Sequence, residues 1–93
     1  MTFTTVEFLA RAQVERETLE IWIEEEWLAP SEAASERAFT ETDLARAQLI
    51  RDLMDDLGVN AEGVGIVLRL VDQVHGLRSA LAELANAKRG AGS

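Results

Sequence analysis

The chain has 93 residues, 47% of them apolar and 28% charged, and nine basic against 17 acidic side chains give a net charge of −8. That length makes one domain burying roughly 60–70% of its extended surface; the composition excludes a disordered tail, and the acidity argues against nucleic acid or an anionic membrane as partner and for a basic one. The absence of cysteine excludes disulfides and thiolate metal sensing, and with no signal-peptide pattern and no apolar run near the ~20 residues of a membrane span, a cytoplasmic protein is expected.

Residues 2–4 are short and β-prone. Thr4 and Glu7 form a capping-box pattern, which predicts a first helix over residues 5–12 with Phe8 and Leu9 facing inward. After a turn at 13–15, Leu19 is followed by Trp22 and Ile23 at three and four residues, so the three share one face of a second helix, the pair forming a helix-turn-helix. Trp27 and Leu28 extend the apolar contact, and Pro30, which has no N–H to donate, marks the exit. Glu15 and Glu17 suit the positive end of the second helix. Its outer face carries Glu20 and Glu24 at helical spacing with Glu25 and Glu26 beside them. Residues 15–28 hold six glutamates against one arginine, a local charge of −5. A helix in this setting normally lies against DNA phosphates and is basic, whereas this one would repel them.

Phe3, Thr4, Glu7, Phe8, Leu9, Ala10, Thr18, Leu19, Trp22, Leu28, Pro30, Arg37 and Phe39 together resemble the N-terminal winged helix of MerR-type regulators. In those proteins an arginine and a tyrosine follow the Thr-Leu pair, a second basic residue sits further along, and a glycine precedes the final leucines. Here those places hold Glu20, Ile21, Glu24 and Glu26, so the framework residues match and the DNA-contacting ones do not. A second run, Gly63-Val64-Gly65-Ile66-Val67-Leu68-Arg69-Leu70-Val71-Asp72 followed by Val74, His75 and Leu77, is similar to the CbpM family of chaperone modulators, and this likeness spans Phe3 to about Leu84. The resemblance implies a mainly α fold: a MerR-like winged helix-turn-helix with a small β wing, followed by a long C-terminal helix. It also implies a partner, the J-domain of a CbpA-like, DnaJ-type co-chaperone, whose basic helix a DnaK-type chaperone also uses.

Residues 29–39 are the expected wing. They lack glycine, so a loose loop is expected there rather than a tight two-residue hairpin. Phe39 reads as a core anchor. Arg37 reads either as a phosphate contact or as the partner of Glu36 or another nearby carboxylate. Thr40 and Asp43 repeat the capping pattern and open a third helix with Leu44, Ala47, Ile50, Leu53 and Leu57 along one stripe. Leu49 and Met54 flank that stripe, and Gly58 is placed to end the helix in a left-handed conformation. Arg46, Arg51, Asp52, Asp55 and Asp56 read as a solvated face. Asn60 caps a fourth helix. Gly63 and Gly65 in its first turns suggest the close approach of another element, with the third helix as the expected neighbour.

Val67, Leu70, Val74, Leu77, Leu81 and Leu84 alternate at three and four, a seam for a second copy, while Val64, Leu68 and Val71 form a stripe for the domain itself. Residues 1–58 are thus the winged-helix part, 59–89 the long helix for dimerisation and partner binding, and 90–93 a disordered tail.

No catalytic site, metal site or cofactor is expected. His75 is the single histidine, the Gly63-Val64-Gly65 run lacks the strand–loop context of a phosphate loop, and the carboxylates have no evident cleft to shift their pKa values. Trp22 and Trp27 read as core. Three functional readings follow: a modulator or inhibitor that binds the J-domain of a CbpA/DnaJ-type co-chaperone, a MerR-type DNA-binding transcriptional regulator, and a structural or antitoxin-like dimer. The first is preferred, with Glu20, Glu24, Glu25, Glu26 and Asp72 as the partner-binding residues, a homodimer as the assembly, and neither nucleic acid nor membrane as partner.

Overall fold

The computed structural model describes residues 1–33 and 36–91. Thr4 opens the first helix, α1 (Thr5–Ala12), by closing both halves of its capping box: its N–H donates to the Glu7 carboxylate at 2.9 Å, and its hydroxyl accepts from the Glu7 N–H. Gln13, at φ 57°, turns the chain in the left-handed region into α2 (Arg16–Glu24). Leu19 and Trp22 are buried as their spacing predicts, and Ile23 packs beside them. Beyond α2 the chain reverses at Glu26, φ 63°, and the Trp27 N–H donates back to the Trp22 carbonyl at 2.9 Å. That reversal sends Trp27 and Leu28 into the core.

Three antiparallel strands, β1 (Thr2–Phe3), β2 (Ser31–Ala33) and β3 (Glu36–Thr40), lie in spatial order β1-β3-β2, with β1 and β3 packed on α1 and β3 also on the helix that follows it. Phe3 faces Phe39 across β1 and β3. The Phe39 ring stacks on Phe8, with centroids 4.3 Å apart and planes at 17°. In the wing, Ala33 pairs with Glu36, so two residues separate β2 from β3. Where a loose loop was expected, Ser31–Ala38 and Glu32–Arg37 pair as strands. The connecting residues 34 and 35 lie outside the described residues.

Thr40 and Asp43 close the second capping box and start α3 (Glu41–Arg51). The helix then widens into a π-helical segment, Asp52–Asp56, in which the Leu57 N–H reaches the Asp52 carbonyl. An i→i+5 turn takes in more residues than an α turn, so it rotates the following positions off the stripe. Leu57 is therefore 71% exposed rather than part of the core, while Leu53, one turn earlier, is buried. Gly58 adopts φ 67°, the left-handed stop expected there.

The last helix, α4 (Ala61–Ala91), is capped by Asn60, whose side-chain oxygen accepts from the Gly63 N–H at 2.8 Å. The two early glycines have different neighbours from the expected third helix. A Cβ at Gly63 would lie 2.6 Å from Val59 Cγ1 and 3.2 Å from Asn60 Oδ1, so the cap itself requires the glycine. Gly65 faces Trp27. Val64 and Leu68 are buried on the domain and Val67 packs partly against it, whereas every residue from Asp72 to Gly90 is exposed. The helix continues through Gly90 to Ala91, where a disordered tail was expected to begin; residues 92 and 93 lie outside the described residues. The projecting helix explains the elongated shape, 53 × 35 × 19 Å. The radius of gyration, 16.4 Å, exceeds the ~12 Å of a compact chain of this length. Among the described residues no helix is long and apolar enough to cross a membrane.

Candidate protein-interaction surface

The outer face of α2 meets the wing through one ion pair. Arg37 on β3 donates to both carboxylate oxygens of Glu20, through Nη1 to Oε1 and through Nη2 to Oε2 at 3.2 Å. A planar guanidinium and a carboxylate match in this two-bonded arrangement. The hydrogen bonds from Arg37 hold the Glu20 carboxyl below its ordinary range, and the same bonds raise the Arg37 guanidinium above its own. Arg37 thus has a neighbouring carboxylate as partner, on α2 rather than in the wing. Both Glu20 oxygens take donors from Arg37, while Glu24, Glu32 and Glu36 are exposed.

The remaining acidic residues divide. Glu24 is exposed at the end of α2. Glu25 and Glu26, carried past the helix by the left-handed turn, face the start of α4 across an open groove of about 480 Å³. Asp72 lies on the same groove, joined by Glu62, Arg69, Gly65, Ile66 and Trp27. Of the residues expected to bind a partner, Glu25, Glu26 and Asp72 thus line one groove, with Glu62 and Trp27, which the sequence did not single out for it, contributed by elements far apart in the chain.

Arg46 ties the groove together. Its Nε donates to the Trp27 carbonyl at 2.7 Å, and its Nη1 to Asp72 Oδ1 at 2.6 Å. With its side chain only 19% exposed, it is a link between the α2 exit, α3 and α4 rather than part of a solvated face. Arg51 departs from that expectation too, donating to the Ala12 carbonyl at the end of α1 at 2.9 Å. Arg51 thereby satisfies a carbonyl left open at the end of α1, and Arg46 one in the turn that follows α2. Of the five residues expected on that solvated face, the acidic ones, Asp52, Asp55 and Asp56, are exposed.

The seam residues of α4 lie as follows. Val67 packs partly on the domain; Leu70, Val74, Leu77, Leu81 and Leu84 are all exposed, between 46% and 67%. A shallow apolar hollow lined by Val67, Leu70, Val71, Val74, His75 and Arg78 opens on this face. His75 thus flanks the apolar stripe. Among the described residues, no group of three or more His, Asp or Glu side chains is placed to hold a metal.

The helix-turn-helix, the three-stranded wing and the single long helix define a winged-helix protein of the regulator type. The pattern of MerR HTH family regulatory proteins matches residues 3–86, and the chain belongs to that family. The fold is similar to that of HiNmlR, a MerR family regulator lacking the sensor domain, seen in a crystal structure bound to promoter DNA: the TM-score is 0.70 at 19% identity, covering 92% of this chain and 77% of that one. Comparison with curated proteins gives no match.

Proposed function

We propose that this chain is a MerR-fold protein turned from DNA to a protein partner, a modulator that binds the J-domain of a CbpA-like, DnaJ-type co-chaperone and keeps it from its Hsp70-type chaperone. The observation that carries the protein-binding half of this reading is the Glu20–Arg37 pair: the wing arginine that could meet a phosphate is bound by a carboxylate on the helix that would enter the groove. Glu24, Glu25, Glu26 and Asp72 extend the acidic surface, which would speed encounter with a basic helix and disfavour acidic partners. The J-domain rests on the likeness to CbpM-type modulators in residues 3–84. The exposed seam from Leu70 to Leu84 supports a homodimer through α4, since nothing else in the described chain covers it.

Binding kinetics against an isolated J-domain, at two salt concentrations, test the proposal. Saturable association that slows as salt rises is expected, and competition with the Hsp70-type chaperone should be complete. The absence of any association would refute the reading.

The second reading is a DNA-binding regulator, favoured by the likeness to HiNmlR, which is bound to promoter DNA. Such binding gains from counterion release, with a slope of about −0.9 per phosphate neutralised. The acidic α2 face removes that gain, so negligible affinity for duplex DNA at physiological salt is expected. Tight, salt-sensitive retardation of a promoter fragment would favour the second reading over the first.

A further inference from the structure

The groove between the α2 exit and α4 contains a polar group that no protein acceptor among the described residues meets. Trp27 is only 7% exposed, and its indole N–H donates to no acceptor among the described residues. Every fully buried side-chain polar atom among those residues has a partner, so the unpaired N–H reaches solvent. It does so at the groove: Nε1 is the atom nearest to where a side chain at Gly65 would begin, 3.7 Å away, and Trp27 and Gly65 both line the opening. Solvent is then its acceptor, and a donor on a nearly buried ring that opens only onto a groove is free to exchange that water for a partner's acceptor.

The surroundings define that partner. Glu25, Glu26 and Glu62 carry exposed carboxylates around the opening, and Asp72 is already engaged by Arg46. Of the groove's cations, Arg46 is tied to Trp27 and Asp72, leaving Arg69 against three free carboxylates. An anionic ligand is disfavoured by this balance, and a bare cation makes no use of the indole donor. A peptide that combines cationic side chains with an exposed main-chain carbonyl answers both. The last turn of a helix has this chemistry, because its final carbonyls lack intrahelical donors and lysine and arginine are favoured beside them. Ile66, 56% exposed at the rim, offers an apolar contact for the aliphatic stems of such side chains.

We infer that this groove binds the C-terminal turn of a Lys/Arg-rich helix of a partner protein, its cations among Glu25, Glu26 and Glu62 and one of its main-chain carbonyls on the Trp27 indole N–H. The inference rests on the protein-binding reading above and moves the centre of contact from the outer face of α2 to the α2–α4 groove.

The test uses the full chain carrying Trp22→Phe, which leaves Trp27 as the single indole. Its emission is followed while two probes are added separately: a synthetic helical peptide ending in a Lys/Arg-rich turn, and an isolated J-domain. A saturable shift of Trp27 emission is expected. Glu62→Lys should weaken binding at least about tenfold, equivalent to ~1.4 kcal/mol. Gly65→Leu should abolish it by filling the groove. The matched charge change Glu17→Lys, at the start of α2, should leave it within about twofold. Circular dichroism checks folding; Gly65→Leu replaces a helix-interior glycine, where a Cβ meets ordinary contact distances, and the exposed Glu62 gives a second variant free of packing. Peptide binding without J-domain binding sustains the groove and removes the J-domain as its ligand. J-domain binding that both groove variants leave unchanged overturns the groove and leaves the J-domain reading standing. Silence of Trp27 toward both probes overturns the inference.

Discussion

Leu77→Glu is the sharpest probe of the assembly. Leu77 is 66% exposed in the single chain. Complete burial of a leucine side chain contributes roughly 1.5–3 kcal/mol, so about two-thirds of that, ~1–2 kcal/mol, is available to a partner helix. A symmetric dimer loses the contribution twice, about 2–4 kcal/mol, which raises the dissociation constant roughly 30- to 1000-fold. The introduced carboxylates add to this, because a charge facing the apolar seam must be desolvated or driven apart from its copy. Sedimentation equilibrium at tens of micromolar, above the ~μM range of modest interfaces, reads the result directly. The parent chain should sediment as a dimer and the variant as a monomer with unchanged helicity. A monomeric parent at that concentration refutes the reasoning. So does a dimeric variant, which would place the contact away from the seam.

Arg46→Ala should destabilise the chain by about 1–3 kcal/mol in urea denaturation, because it leaves the Trp27 carbonyl without its donor as well as removing a charge. Asp72→Asn, whose side chain is 59% exposed, should cost less than about 1 kcal/mol. Stability should fall on acidification. Main-chain and side-chain bonds from Thr4 hold Glu7, and bonds from Arg37 hold Glu20, below the ordinary glutamate range in the folded protein. Their stabilisation is therefore complete above the unfolded pKa and is lost as the pH drops through the lower folded value; urea midpoints from about pH 5 downward should flatten in Glu7→Gln and Glu20→Gln. Glu26→Gly should raise stability by about 0.5 kcal/mol, some 2–4 °C in Tm, as relief of the left-handed strain at φ 63° outweighs glycine's entropic cost.

The features legible in the sequence are those with local signatures. Both capping boxes join residues three apart, and the structure closes each as expected. The spacing of Leu19 and Trp22, and the wing position of Phe39, likewise predicted the core. The contacts that define the candidate site join residues 17, 19 and 26 positions apart, for Glu20–Arg37, Trp27–Arg46 and Arg46–Asp72. No periodicity encodes which arginine reaches across a fold, so Arg46 read as solvated while it closes the gap between three elements. Leu57 was misplaced for a different reason: a constant helical period cannot anticipate the π-helical segment that rotates it outward. The glutamate at position 26 carried a usable signal. It stands where the MerR-type pattern that this chain resembles has glycine, and its φ of 63° is the left-handed conformation that glycine favours.

The long helix separates its roles by face as well as by length. At about 100° per residue, the seam from Leu70 to Leu84 occupies one side of α4. Val64 and Leu68 follow on a second side, turned to the domain; Val71, expected with them, is half-buried and lines the apolar hollow beside Leu70 and Val74 instead, and Glu62, Gly65, Arg69 and Asp72 share a third side. Only Ile66 lies near the border between the seam and the groove. A second copy seated on the seam therefore leaves the groove facing outward on each protomer. The division along the length acts in the same direction: the domain holds α4 near Val64 and Leu68, whereas Leu77, Leu81 and Leu84 lie beyond its last buried residue. The proposed dimerisation through the projecting half and the proposed capture of a basic segment at the anchored half are therefore compatible, with Arg46 linking the acidic α2 exit to α4.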